Sequence, residues 1–234
     1  MRYAVFGAMG RMGVSVTTEA RGQSIELTAL LDRGSDMEIP DGTDVVLDFS
    51  APSAWDDLDR ALSGSQAALV SGTTGLDNVC RGMLGRWSGE RPVFYSSNMS
   101  TGVYVLGRLV RQARAMLGEG FDAELVEIHH RNKADSPSGT AMALLEGLPG
   151  AVVYGRQGIT GVRSADEVGV HSLRGGDVFG EHQVHLLGQG ERLCLTHMTT
   201  DRRVLALGAL RAARFIAGMA PGLYGMEDML GHRS

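Results

Sequence analysis

The 234-residue chain is 43% hydrophobic, which is material for one large domain or two modest ones and excludes a disordered or low-complexity chain. Its formal net charge of −5 gives no general attraction for nucleic acid or an anionic membrane, so any anionic ligand must be recognised locally, with an arginine site as one option. Apolar segments such as ELTALL and ALVSGT fall well short of the ~20 residues of a membrane span, and MRYAVFGAMG starts directly as a strand; a soluble cytoplasmic protein is expected.

Strand-length apolar runs then alternate with amphipathic stretches. RYAVFG leads to RMGVSVTTEAR; ELTALLD follows; DVVLDFS leads to APSAWDDLDRALS, AALVSGT to NVCRGMLGRW, and PVFYSSN to VYVLGRLVRQARAML. Runs of this kind fit strands buried on both faces, with helical crossovers between parallel neighbours. The first hundred residues therefore predict a doubly wound α/β sheet. Residues 32 to 43, DRGSDMEIPDGT, are too polar and too few for a crossover helix, and a loop is expected there.

From residue 121 the texture changes to FDAELVEIHHR, AVVYGR, VGVHSLRGG, EHQVHLLG and ERLCLTHMT, with one helix from about Ser138. This succession predicts a second, α+β domain with an open mixed or antiparallel sheet. The tail DRRVLALGALRAARFIAGM reads as a helix with Val204, Leu207, Leu210 and Ile216 on its apolar face, packing back on the first domain. The expected boundaries are 1–100 with 204–234 for the first domain and 101–203 for the second. Cys80 and Cys194 lie in apolar surroundings far apart and read as buried, reduced thiols.

The first strand ends in GAMGRMG, where Gly7, Gly10 and Gly13 form a variant of the dinucleotide fingerprint. Such glycines permit a tight turn, close approach of backbone to a pyrophosphate and packing of helix on strand, while the helix start offers amides to phosphate. A plain strand-to-helix turn is the bland alternative. The second strand ends in Asp32 and Arg33, suited to ribose hydroxyls and to a 2′-phosphate respectively, so NADH and NADPH are both expected to bind. Two further strand ends, SGTTG and SSNMS, place Gly72, Thr73, Thr74, Ser96, Ser97, Asn98 and Met99 where a nicotinamide and its ribose would lie, with ordinary turn chemistry as the alternative.

EIHHRNKADSPSGTA, residues 127 to 141, is denser still. Alternation along a strand puts His129 and Arg131 on one face and His130 on the other, with Lys133 rejoining the first face if the chain stays extended. Histidine moves protons near neutral pH, and an ammonium donates a proton or binds a carboxylate. Ser138-Gly139-Thr140 open a helix and offer a second anion site. Each residue alone is more often structural. However, Lys133 is the one lysine beside 21 arginines, and a guanidinium is not a proton donor at neutral pH. His182 and His185, three apart in a strand, face opposite ways, so no metal is expected. Arg202 and Arg203 read as a hinge contact or a solvated pair.

Taken in order, GAMGRMG, DVVLDFS, SGTTG, SSNMSTGV and above all EIHHRNKADSPSGTA make the chain resemble the 4-hydroxy-tetrahydrodipicolinate reductase family of the diaminopimelate route to lysine, over nearly its whole length. The resemblance implies a Rossmann-like domain closed by the C-terminal helix and a substrate domain whose open sheet builds a homotetramer. It implies cofactor contacts from Gly7, Ala8, Met9, Gly10, Arg11 and Met12, from Asp32 and Arg33, from residues 72 to 74 and from residues 96 to 99. His129 matches the family's proton donor/acceptor and Lys133 its second proton donor, while His130, Gly139 and Thr140 match substrate-binding positions. The implied reaction delivers hydride to C4 of a cyclic dicarboxylate imine after loss of its 4-hydroxyl. Ser136, Met99 and the short segment after Arg33 depart from the family pattern. A related oxidoreductase for another small amino or imino dicarboxylate, and an NAD(P)H-sensing module without turnover, are the competing readings.

Overall fold

The computed structural model describes residues 1–34 and 37–231. The chain divides into two compact units, Met1–Ser100 with Arg203–Ser234, and Thr101–Arg202.

In the first unit the strands are β1 (Arg2–Phe6), β2 (Glu26–Leu31), β3 (Val45–Asp48), β4 (Ala68–Ser71), β5 (Pro92–Tyr95) and, far along the chain, β11 (Gly222–Tyr224). They form one parallel sheet in the order β11-β5-β4-β3-β1-β2. Helices α1 (Arg11–Ala20), α2 (Trp55–Ser63), α3 (Asn78–Glu90), α6 (Arg203–Ile216) and α7 (Met226–Gly231) accompany it. Central strands β3 and β4 are buried along their whole length, which is why they read as unbroken apolar runs. In contrast, β2 is largely exposed because no strand pairs beyond it, an edge position that its apolar sequence does not reveal. The described part of residues 32 to 43 contains neither helix nor strand.

Tilted at 48°, Trp55 and Trp87 lie with their ring centroids 5.1 Å apart in the core beneath α2 and α3. The Trp87 indole N–H donates to Asp59 at 2.7 Å. The last long helix corrects the expected apolar face: Leu210 and Ile216 are buried, but Val204 and Leu207 are exposed, and the face turned inward is Ala206, Gly208, Ala209, Ala212 and Ala213. Close approach is the reason. A Cβ on Gly208 would fall 1.8 Å from the Met99 carbonyl oxygen, so this helix packs through small residues.

The second unit holds α4 (Thr101–Leu117), β6 (Asp122–His129), α5 (Gly139–Leu145), β7 (Ala151–Tyr154), β8 (Glu167–Arg174), β9 (Gly180–Leu187) and β10 (Arg192–Thr199). Its sheet runs β10-β9-β6-β8-β7, parallel among β6, β8 and β7 and antiparallel at β9 and β10. β6 alternates strictly, burying Ala123, Leu125, Glu127 and His129. The apolar members of that face pack with Leu106 and Val110 of α4 and Leu144 and Leu145 of α5. Cys80 is buried as expected, but Cys194 is exposed because it stands on the edge strand β10.

Candidate functional site

The strand order reverses between β1 and β3, the switch point where open parallel sheets bind ligands. Gly7 leaves β1 there with φ +76°, a left-handed conformation that glycine adopts without strain. A Cβ on Gly7 would meet the Phe49 backbone at 2.9 Å, and one on Gly13 would lie 2.4 Å from the Gly7 carbonyl oxygen. Two of the three glycines are therefore demanded by close backbone approach. Gly10 is less confined and sits at the start of α1, exposed together with Met9 and Arg11.

Asp32, just past β2, accepts the Met9 amide at 2.7 Å and its neighbour Arg33's amide at 2.8 Å, tying the glycine loop to the end of the second strand. A cavity of about 200 Å³ opens at this place, lined by Gly7, Gly10, Asp32, Arg33, Phe49 and Ser50 among others. The glycine loop and the Asp32–Arg33 pair thus share one hollow.

The loops after β3 and β4 are joined by a residue that sequence reasoning passed over. Asp48 is fully buried and accepts from the hydroxyls of Ser50 (2.6 Å), Ser71 (2.7 Å) and Thr73 (2.8 Å) and from the Ser50 amide at 3.0 Å. The Thr73 hydroxyl is consequently committed inward, while Thr74 is exposed and Gly72 packs against the Phe49 ring. In the loop after β5, Ser96 donates to the Asn98 carbonyl and the Ser100 amide donates to the Asn98 side chain. Ser97 is exposed there, whereas the Met99 side chain is buried at 2% exposure and forms part of the core.

In the second unit, β6 ends at His129, so the chain turns at Arg131 and Asn132 instead of continuing extended. His129 stays on the buried face, and His130 lies just beyond the strand with its Nδ1 enclosed and unpartnered. Lys133 comes back towards His129 through that turn, and its Nζ holds the Asp135 carboxylate at 2.8 and 3.0 Å. Ser138 caps α5, its hydroxyl accepting the Ala141 amide at 3.1 Å, so Gly139 and Thr140 are the first residues of that helix.

Beneath His129 lies a second unforeseen carboxylate. Glu127, 0% exposed, is bonded to His129 Nδ1 and receives both terminal nitrogens of Arg174 at 2.7 and 2.9 Å, as well as the Ser138 amide at 3.3 Å. Burial works to raise its pKa, but the hydrogen bonds from Arg174, Ser172 and His129 outweigh it and keep the carboxyl below its ordinary range. Burial pushes His129 below the usual histidine value, incompletely opposed by Glu127 and reinforced by the charges of Lys133 and Arg174. His182 packs edge-on to His129 at 5.2 Å and its Nε2 bonds the Ser138 hydroxyl at 3.0 Å. Burial lowers its pKa to about 4, so the ring is neutral. His182 is buried and His185 is not, as expected for positions on opposite faces of β9. Among the described residues no group of three or more His, Cys, Asp or Glu is placed to hold a metal, and no helix is long and apolar enough to cross a membrane.

A parallel sheet with a glycine-rich first turn, together with a separate mixed-sheet unit carrying a buried histidine–carboxylate pair, defines the class as an α/β oxidoreductase of the dinucleotide-binding kind. The comparisons give the family. Residues 1–99 match the family description "Dihydrodipicolinate reductase, N-terminus", and residues 102–230 match "Dihydrodipicolinate reductase, C-terminus". The 4-hydroxy-tetrahydrodipicolinate reductase of Anaeromyxobacter sp. (strain Fw109-5) is 42% identical, with 98% of this chain and 97% of the relative covered. That of Campylobacter jejuni subsp. jejuni is 39% identical, covering 99% of each chain. In fold, the dipicolinate-bound dihydrodipicolinate reductase from Paenisporosarcina sp. TG-14 superposes with a TM-score of 0.76 at 21% identity, over 98% of this chain and 99% of that one. The chain belongs to the dihydrodipicolinate reductase family.

Proposed function

We propose that this chain reduces 4-hydroxy-tetrahydrodipicolinate to tetrahydrodipicolinate with a reduced nicotinamide dinucleotide, releasing water, as the reductase step of the diaminopimelate route to lysine. Membership of the family carries the reaction. The observation in the structure that agrees with it most directly is His129, buried beside a carboxylate and close to the chain's one lysine.

The first unit fits a dinucleotide. Gly7 and Gly13 leave no space for a Cβ, and Gly10 and the start of α1 remain accessible to a pyrophosphate. In our reading Gly7 to Met12 hold the phosphates, with Asp32 and Arg33 at the adenosine ribose. Residues 72 to 74 and 96 to 98 supply backbone groups at the nicotinamide end. Met99, being buried, is assigned a supporting role beneath that loop. When bound, the cofactor supplies a hydride. The carboxylate of Asp32 suits a free ribose 2′-hydroxyl and the guanidinium of Arg33 a 2′-phosphate, so use of both NADH and NADPH is part of the proposal.

For the second unit, His129 exchanges the proton at the substrate and the Lys133 ammonium donates the second. His130 and the amides of Gly139 and Thr140 bind a substrate carboxylate. A homotetramer belongs to the same proposal: α4 and α5 cover one face of the sheet, while the opposite face presents the exposed side chains of Leu173 and Met198. So does a cytoplasmic location.

The test supplies freshly condensed pyruvate and aspartate semialdehyde from a coupled synthase and follows loss of nicotinamide absorbance, with NADH and NADPH in separate runs. Oxidation that needs both synthase and protein establishes the activity, whereas cofactor binding without consumption favours the sensing alternative.

A further inference from the structure

A histidine that exchanges a proton must present one particular ring nitrogen, and the surroundings of His129 determine which. Four groups face it from different elements: Glu127 on its own strand, Arg174 of β8, His182 of β9 and Lys133 of the following turn. Glu127 accepts two hydrogen bonds from the Arg174 fork, so it is an ionised carboxylate and an acceptor only. The ring nitrogen facing it must then carry hydrogen. That nitrogen is Nδ1, which leaves Nε2 with the lone pair.

The other end of the ring points towards Gly180, the first residue of β9. A Cβ there would lie 3.1 Å from His129 Nε2, so the glycine leaves open the space next to that nitrogen. Arg174 serves the same site a second time. Besides pairing with Glu127, its Nη2 donates to the Asp135 carbonyl at 2.7 Å, and Asp135 holds the Lys133 ammonium. The Ser138 amide at the start of α5 also reaches Glu127. One Glu127–Arg174 pair therefore anchors the histidine, the lysine turn and the first turn of α5.

We propose that Glu127, held by Arg174, is the positioning residue that fixes His129 in its Nδ1–H tautomer, so that Nε2, on the open side at Gly180, is the atom that exchanges the proton with substrate. The catalytic half of this inference rests on His129 being the proton-exchanging group; the tautomer itself does not. The chemistry is conservative in atoms: Nε2 takes or returns one proton, and Glu127 keeps its charge throughout, stabilising the transient imidazolium as an orienting carboxylate does.

The experiment labels the histidines with ¹⁵N and records long-range ring correlations of the full-length protein without substrate, with His129→Ala assigning the His129 signals by their disappearance. The wild type should show a protonated Nδ1 and an unprotonated Nε2 at neutral pH. Glu127→Gln should give a mixed or reversed tautomer, with kcat down roughly 10- to 100-fold and KM within a few-fold. Gly180→Ala leaves Glu127 intact, so it should keep the wild-type tautomer yet lose turnover because the added methyl crowds Nε2. A protonated Nε2 in the wild type, or an unchanged spectrum in Glu127→Gln, overturns the tautomer assignment. Should Glu127→Gln fail to fold, the wild-type spectrum still decides the tautomer, and wild-type turnover in Gly180→Ala counts against Nε2 as the exchanging atom. Wild-type turnover in His129→Ala would instead overturn the underlying assignment of His129, and the spectrum would still decide the tautomer.

Discussion

Asp48 accepts the Thr73 hydroxyl at 2.8 Å in the interior of the first unit, joining the loop that follows β3 to the loop that follows β4. The first of these loops borders the switch point of the sheet and the second lies one strand further out, so the shape of the proposed dinucleotide site depends on a carboxylate that need not touch the dinucleotide at all. Replacing it by alanine strands three buried or half-buried hydroxyls, each leaving a polar group without its partner, at a cost on the order of 1–3 kcal/mol for such a loss. Asp48→Ala is expected to lower the thermal midpoint and to raise the dissociation constant for NADH, with a smaller effect on the substrate's KM. Calorimetric titration beside thermal denaturation separates the two effects.

Gly13 offers a sharper steric test. Its Cβ would fall 2.4 Å from the Gly7 carbonyl oxygen and 2.6 Å from that of Ala8, both backbone atoms that cannot swing away. Gly13→Ala must push α1 off β1, with an overpacking cost of typically 1–3 kcal/mol. Weaker dinucleotide binding in a protein that still folds is the expected outcome. Binding equal to wild type would show that the glycine loop does not hold the phosphates.

Much of this arrangement was legible in the residues. GAMGRMG announces its turn because conformational freedom and close packing act locally, and the apolar runs announce β3 and β4 because both faces of a central strand are buried. The carboxylates were not legible. Nothing beside Glu127 in sequence reveals that Arg174, 47 positions later, is drawn to it by the parallel pairing of β6 with β8, and Asp48 depends on residues 23 and 25 positions away. The inward face of α6 is hidden for a related reason: a hydrophobicity period ranks leucine above alanine, but the carbonyl of Met99 leaves no room for a Cβ at Gly208. The exposure of Cys194 follows from strand order, which composition does not encode.

Stability should depend on pH in a defined direction. His182 titrates at about 4 in the folded protein against 6.5 for an ordinary histidine, and His129 is lowered as well. Between those values the unfolded chain binds the more protons, so stability is constant above about pH 6.5 and falls as the pH drops towards 4. For His182 the loss is about 3 kcal/mol at most. Glu127, with its pKa lowered, adds a further loss once the pH falls below the ordinary glutamate value of 4.5, where the unfolded chain takes up a proton that the folded carboxylate does not. Denaturant unfolding from pH 7 to 4 should show this slope, and His182→Gln should flatten it. A slope unchanged in that variant would place the acid sensitivity elsewhere.

Charge alone should not replace the lysine. Lys133→Ala is expected to cost ~10²–10⁴-fold in kcat, the usual range for losing a general acid, and Lys133→Arg should recover little because a guanidinium keeps its protons. Full recovery by arginine would reduce Lys133 to an electrostatic partner of Asp135, which it already binds at 2.8 Å.

The most direct measurement is the coupled assay itself, run with wild type, His129→Ala and Lys133→Ala on substrate made in situ by the synthase. Nicotinamide oxidation should require both synthase and protein and should fall by ~10²-fold or more in each variant. Variants that turn over within a few-fold of wild type would contradict the site assigned here, and a wild type that binds the cofactor but never consumes it would contradict the reaction.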